Sequence, residues 1–142
     1  MRRLAAIACA IASAIISAPS PAAEPTLAVV VHSERRATMS VADLSNIYLK
    51  KRRFWDDGTP IVPLNREAGS TVRETFSRRV LGGASSAFVG YWNDQYFHGL
   101  FPPATLSSSD AVKRYLAADR NAIGYVWSSD VDDSVRVLLR LD

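Results

Sequence analysis

Between Asn65 and Gly83 the chain reads NREAGSTVRETFSRRVLGG, and the residue types in this stretch are the ones best suited to chemistry. Thr71 followed by Glu74 has the spacing of a capping box, which starts a helix. Val72, Phe76 and Val80 then recur at helical spacing, and Gly82-Gly83 ends the run. Just before it, Pro60 to Leu64 reads as a short strand. A strand feeding a helix start led by Gly69 turns several backbone N–H groups outward at the positive end of a helix dipole, which suits an anion. Arg66 and Arg73 flank this loop, and Ser70 and Thr71 add hydroxyl donors. The same residues also fit a plain tight turn with a helix cap. A Thr71–Glu74 capping box would use two of the open N–H groups and bring negative charge toward the anion.

Other chemistry finds little support. Ser70, His98 and an aspartate have no spacing that assembles a triad, and no Gly-x-Ser-x-Gly elbow occurs. His32 and Glu34 lack a second ligand pair for a metal. Asp130, Asp132 and Asp133 lack the glycine and distal glutamate of a calcium loop. The reading is of a protein that is not an enzyme, with no catalytic residues, no metal and no cofactor.

The N-terminus has its own signature. Met1-Arg2-Arg3 is basic, Leu4 to Ile16 is an apolar run of small residues, and Ser17 to Ala23 is small and helix-breaking. This is the pattern of a secretory signal peptide over residues 1–23, cleaved after Ala22 or Ala23. The apolar run is shorter than the roughly 18 residues a membrane span needs. The expectation is a periplasmic protein whose single domain is residues 24–142. Cys9, the sole cysteine, falls in the leader, so that domain has no thiol for a disulfide or a metal. Removing Arg2 and Arg3 from 17 basic residues leaves 15 against 14 acidic ones, so the net charge drops from +3 to +1. That balance argues against nucleic acid as a partner.

The elements that must position the loop follow in order. Leu27 to Val31 is a continuous apolar run rich in β-branched residues, expected of a strand covered on both faces. Ser40 with Asp43 caps a helix whose apolar face is Val41, Leu44, Ile47 and Tyr48, followed by the cations Lys50 to Arg53. Ser85 or Ser86 opens another helix, with Phe88, Tyr91, Trp92, Gln95 and Tyr96 at helical spacing; this aromatic stripe is expected to face the core. Leu100 to Leu106 reads as a loop, and Ser107 to Asp110 starts a helix with Val112, Tyr115 and Leu116 inward. Ala122 to Trp127 is a buried strand, and Val135, Val137, Leu139 and Leu141 alternate with Arg136 and Arg140, with the odd positions buried and two of the even ones wet, in a strand with one exposed face or at an edge. The order is strand, helix, strand, three helices and two strands. It predicts an α/β domain with a mixed, mostly parallel sheet, early strands parallel, and helices on both faces. Ligands in such sheets sit beyond the carboxyl ends of strands, where the Gly69 loop falls.

With these residues in hand the chain resembles the phosphate-binding periplasmic proteins of ABC transporters, in a single-lobe variety. The likeness rests on Leu27 to Val31, on Asp43 to Lys50 with Trp55, on Asn65 to Thr71, and on Ala122 to Val126. It implies a single periplasmic-binding-protein-like lobe and a tetrahedral oxyanion such as phosphate as ligand. Carried over residue by residue, it implies that Arg66, Gly69, Ser70 and Thr71 hold the anion, with Arg73 beside them. The family loop has an aspartate before the glycine and a second glycine after the serine, where this chain has Ala68 and Thr71. The implied partners are an ABC transporter permease or a membrane sensor, and a second copy of the chain that would rebuild a two-lobed cleft as a homodimer. The alternative is an interaction module that keeps the lobe without a ligand and uses the sheet edge or the Tyr91–Phe97 face.

Overall fold

The computed structural model describes residues 14–20 and 25–142. The signal-peptide reading, with its cleavage after Ala22 or Ala23, lies outside the described residues apart from 14–20, which are exposed and without regular structure. Among the described residues no helix is long and apolar enough to cross a membrane.

Among the described residues five strands form one mixed sheet. They are β1 (Leu27–His32), β2 (Val62–Arg66), β3 (Ala104–Leu106), β4 (Ala122–Trp127) and β5 (Val135–Leu141), in the spatial order β3-β2-β4-β1-β5. β2 runs parallel to β3 and β4, whereas β1 runs antiparallel to β4 and β5. The expectation that the early strands are parallel is therefore corrected: β1 lies antiparallel to the strand beside β2. A continuous apolar run reports coverage on both faces but carries no information about direction. β2 also begins later and reaches further than expected, ending at Arg66. The loop expected at Leu100 to Leu106 contains β3, a three-residue, largely exposed edge strand too short to signal itself.

Helices cover both faces. α1 (Val41–Tyr48) starts at the expected Ser40–Asp43 capping box and buries Leu44, Ile47 and Tyr48. With α2 (Thr71–Phe76) and the wide π-turn Ser77–Leu81 that continues it, α1 packs on one face against Val29, Val31, Ile123 and Tyr125. α4 (Ser109–Ala118) lies on the other face, where Val112 and Leu116 meet Val30, Leu64 and Val126. Its Tyr115 is exposed rather than inward. α4 comes so close at Gly124 that an added Cβ would stand 2.8 Å from the Val112 methyl. β5 serves both layers, because the β1–β5 register slips between Val29 and Val30. Val135 and Val137 pack with α4, while Leu139 and Leu141 pack with α1 and α2, so the odd positions do not share one face.

α3 (Val89–Tyr96), entered through a 3-10 turn at Ser85–Phe88, departs most from expectation. It buries no residue, and Tyr96, Phe97 and Phe101 are 62%, 85% and 54% exposed. The aromatic stripe is a half-covered flank, not core. Helical spacing shows that the rings share a side but not what lies against it.

Candidate functional site

The stretch Asn65–Arg73 crosses from the end of β2 into α2, next to β4 in the sheet. Beneath it is a packed aromatic floor. The rings of Phe76 and Tyr125 stack at 3.8 Å, and Tyr48 meets Phe76 edge-on at 4.6 Å. The buried Tyr48 hydroxyl donates to the Leu64 carbonyl at 2.9 Å, and the Tyr125 hydroxyl donates to Asn65 Oδ1 and accepts from the Arg66 N–H at 3.2 Å. Burial pushes the Tyr125 and Tyr48 hydroxyls far above the usual phenol range, so both stay protonated and neutral. This floor fixes the backbone where β2 ends.

Gly69 has φ +80°, which lets the chain turn sharply out of the strand. Ser70 then caps α2: its Oγ accepts from the Arg73 N–H at 3.4 Å and donates to the Glu67 carbonyl at 2.8 Å. The cap is thus Ser70, one residue before the expected Thr71, and the Thr71–Glu74 capping box does not form. Glu74 instead accepts from the Ser85 N–H at 3.3 Å and from the Ser85 hydroxyl. These bonds, chiefly that from the hydroxyl, hold its carboxyl below the usual range. At the first turn the N–H groups of Thr71 and Val72 carry no hydrogen bond among the described residues. Glu74 is therefore not spent on them.

Arg66 is buried, and its guanidinium is already engaged. Nε and Nη2 meet the two carboxylate oxygens of Glu67 at 3.0 and 3.3 Å, and Nη1 donates to Ser109 Oγ at 3.1 Å. Bonding from Arg66 keeps the Glu67 carboxyl below the ordinary range. Ser109 in turn donates to Asp130 at 2.8 Å, and Asp132 holds Lys113 at 2.8 Å, so these aspartates are committed to ion pairs and bonds of the fold. Arg73 spends Nη1 on the Arg66 carbonyl at 3.1 Å, and its other guanidinium donors have no partner among the described residues. The structure brings Arg66, Gly69, Ser70, Thr71 and Arg73 into one loop but distributes their work. Arg66 and Ser70 frame the loop; Thr71, Val72 and Arg73 offer open donors. The sequence reading missed Val72, whose contribution is a backbone N–H, and Ser109, which lies 43 residues from Arg66.

Beside the loop is a cleft of about 250 Å³, lined by Asn65 and Arg73 on one side and by Phe88, Val89, Trp92 and Asn93 on the other. Among the described residues no group of three or more His, Cys, Asp or Glu could hold a metal.

A family model described as the PBP superfamily domain matches residues 16–137. The chain belongs to this family. Solved structures agree with the PBP assignment. A Clostridium perfringens protein assigned as a phosphate ABC transporter substrate-binding protein, solved with bound phosphate, superposes at a TM-score of 0.66 with 25% identity over 80% of this chain. An ABC-type phosphate transport receptor from Vibrio cholerae gives 0.63 at 20% identity, and PstS from Borrelia burgdorferi gives 0.61 at 15%; these two speak for the fold alone. This PBP chain spans 44%, 45% and 46% of the three structures, less than half of each. No curated protein matches it.

Proposed function

We propose that this protein is an exported solute-binding lobe that takes phosphate or a similar oxyanion at the β2–α2 loop, for transport or sensing. The reading places a signal peptide at residues 1–23, the lobe at 24–142 in the periplasm, and an ABC permease or membrane sensor downstream. The observation that carries it is the loop itself. The Gly69 turn and the Ser70 cap leave the Thr71 and Val72 N–H groups without partners among the described residues, next to the spare donors of Arg73. Donors at a helix start with an arginine beside them complement a tetrahedral anion. The bound phosphate in the Clostridium perfringens structure supports the same ligand class. Glu67 occupies Arg66 in the meantime, so the anion either uses Arg73 and the backbone alone or displaces that carboxylate.

The test is isothermal titration of phosphate and then sulfate into the wild type and Thr71→Asp. Thr71 is exposed, and an acidic residue suits a first helical turn, so this variant keeps its stability while repelling an anion. Saturable heat in the wild type that disappears in Thr71→Asp is the expected result. No heat at millimolar phosphate would remove the oxyanion reading.

A second reading, a module that pairs with another copy of itself, is favoured by the exposed Tyr96, Phe97 and Phe101 at the end of α3 and just after it. Self-association on that flank would also cover the open side of the oxyanion site.

A further inference from the structure

The cleft next to the loop is too large for a bare oxyanion. Its volume of about 250 Å³ is the liquid volume of roughly eight waters, several times what one tetrahedral anion fills. Its two walls differ in chemistry. On the loop side Arg73 presents its spare guanidinium donors, and Asn65 has its Oδ1 taken by the Arg66 N–H and the Tyr125 hydroxyl, which leaves its NH2 group as the available one. On the far side Phe88, Val89 and Trp92 supply aromatic and aliphatic surface, with Asn93 at the rim. Donors at one end and rings at the other suit an amphipathic anion whose charged head sits by the loop and whose body lies between the walls.

We infer that the ligand is an organic oxyanion, a phosphonate or phosphomonoester carrying a small aromatic or apolar group, and that the cleft is the subsite for that group. This rests on the reading of the β2–α2 loop as an oxyanion site. Inorganic phosphate then fills only the head position and leaves the cleft to water, whereas an aryl group displaces that water and buries against Phe88 and Trp92. Glu74, the one acidic residue of α2, is bonded to Ser85 of the cleft wall, and its own side chain is not among the lining residues.

The probes are inorganic phosphate and phenylphosphonate, titrated calorimetrically into the wild type, Val89→Trp, Asn93→Phe and Thr71→Asp. Val89 and Asn93 are exposed, so the larger side chains fill the cleft from its rim without entering the core. The expected result is phenylphosphonate binding at least tenfold tighter than phosphate, with that advantage lost in Val89→Trp and Asn93→Phe while phosphate affinity is unchanged. Thr71→Asp is expected to weaken both probes. Phosphate binding with no advantage for phenylphosphonate overturns the subsite and leaves the oxyanion lobe standing. An advantage that survives both rim variants overturns its placement in this cleft. Binding of neither probe overturns the lobe reading and the subsite together.

Discussion

The guanidinium of Arg66 reaches across from the end of β2 to the first residue of α4, donating to the Ser109 hydroxyl at 3.1 Å while Glu67 holds its other edge. A residue whose type advertises anion binding is thus also a tie between two layers of the fold. Arg66→Ala is expected to lower stability by about 1–3 kcal/mol, because it unpairs a buried network. Urea unfolding of this variant beside Ser109→Ala measures it. An Arg66→Ala variant as stable as the wild type would show the tie to be idle.

Glu67 competes with any incoming anion for Arg66. Glu67→Gln keeps the shape and removes the charge, so phosphate is expected to bind roughly tenfold tighter, about 1.4 kcal/mol. Titration of the two proteins under identical salt decides it. Unchanged affinity would mean that the anion never approaches Arg66.

How much of this was legible in the sequence depends on how local each determinant is. Leu27 to Val31, Ala122 to Trp127 and the Ser40–Asp43 box declared themselves, since apolar continuity and a cap three residues long are decided by neighbours. The position of the α2 cap was not. Ser70 and Thr71 are adjacent hydroxyl residues, and Glu74 is drawn eleven residues on to Ser85, a contact that spacing does not encode. The Ser109 partner of Arg66 and the coverage of α3 are likewise settled by distant chain. So the loop could be found from sequence, whereas the division of labour within it could not.

Gly124 marks the closest approach of α4 to the sheet, with Val112 at 2.8 Å from an added Cβ. Gly124→Ala is expected to cost about 1–3 kcal/mol through overpacking. Restoring space with Val112→Ala in the double variant recovers part of the loss, read from denaturation midpoints. Additive losses would contradict the contact.

Bonds from Lys113 and Ser134 hold the Asp132 carboxyl at about 2, below its ordinary 3.8. A carboxyl depressed in the folded state adds stability that is full above the ordinary value and is lost as pH falls toward the folded one. Asp132→Asn is therefore expected to lose less stability than the wild type between about pH 4 and pH 2. Parallel acid profiles would indicate that Asp132 and Lys113 do not interact in solution.

The account turns on whether an anion sits on the open N–H groups at the start of α2. Backbone amide resonances followed during phosphate titration test this directly. The expected result is saturable shifts largest at Thr71 and Val72, with Gly69 and Arg73 close behind and α4 unmoved. Shifts that leave Thr71 and Val72 fixed, or that appear only on a distant surface, would contradict it.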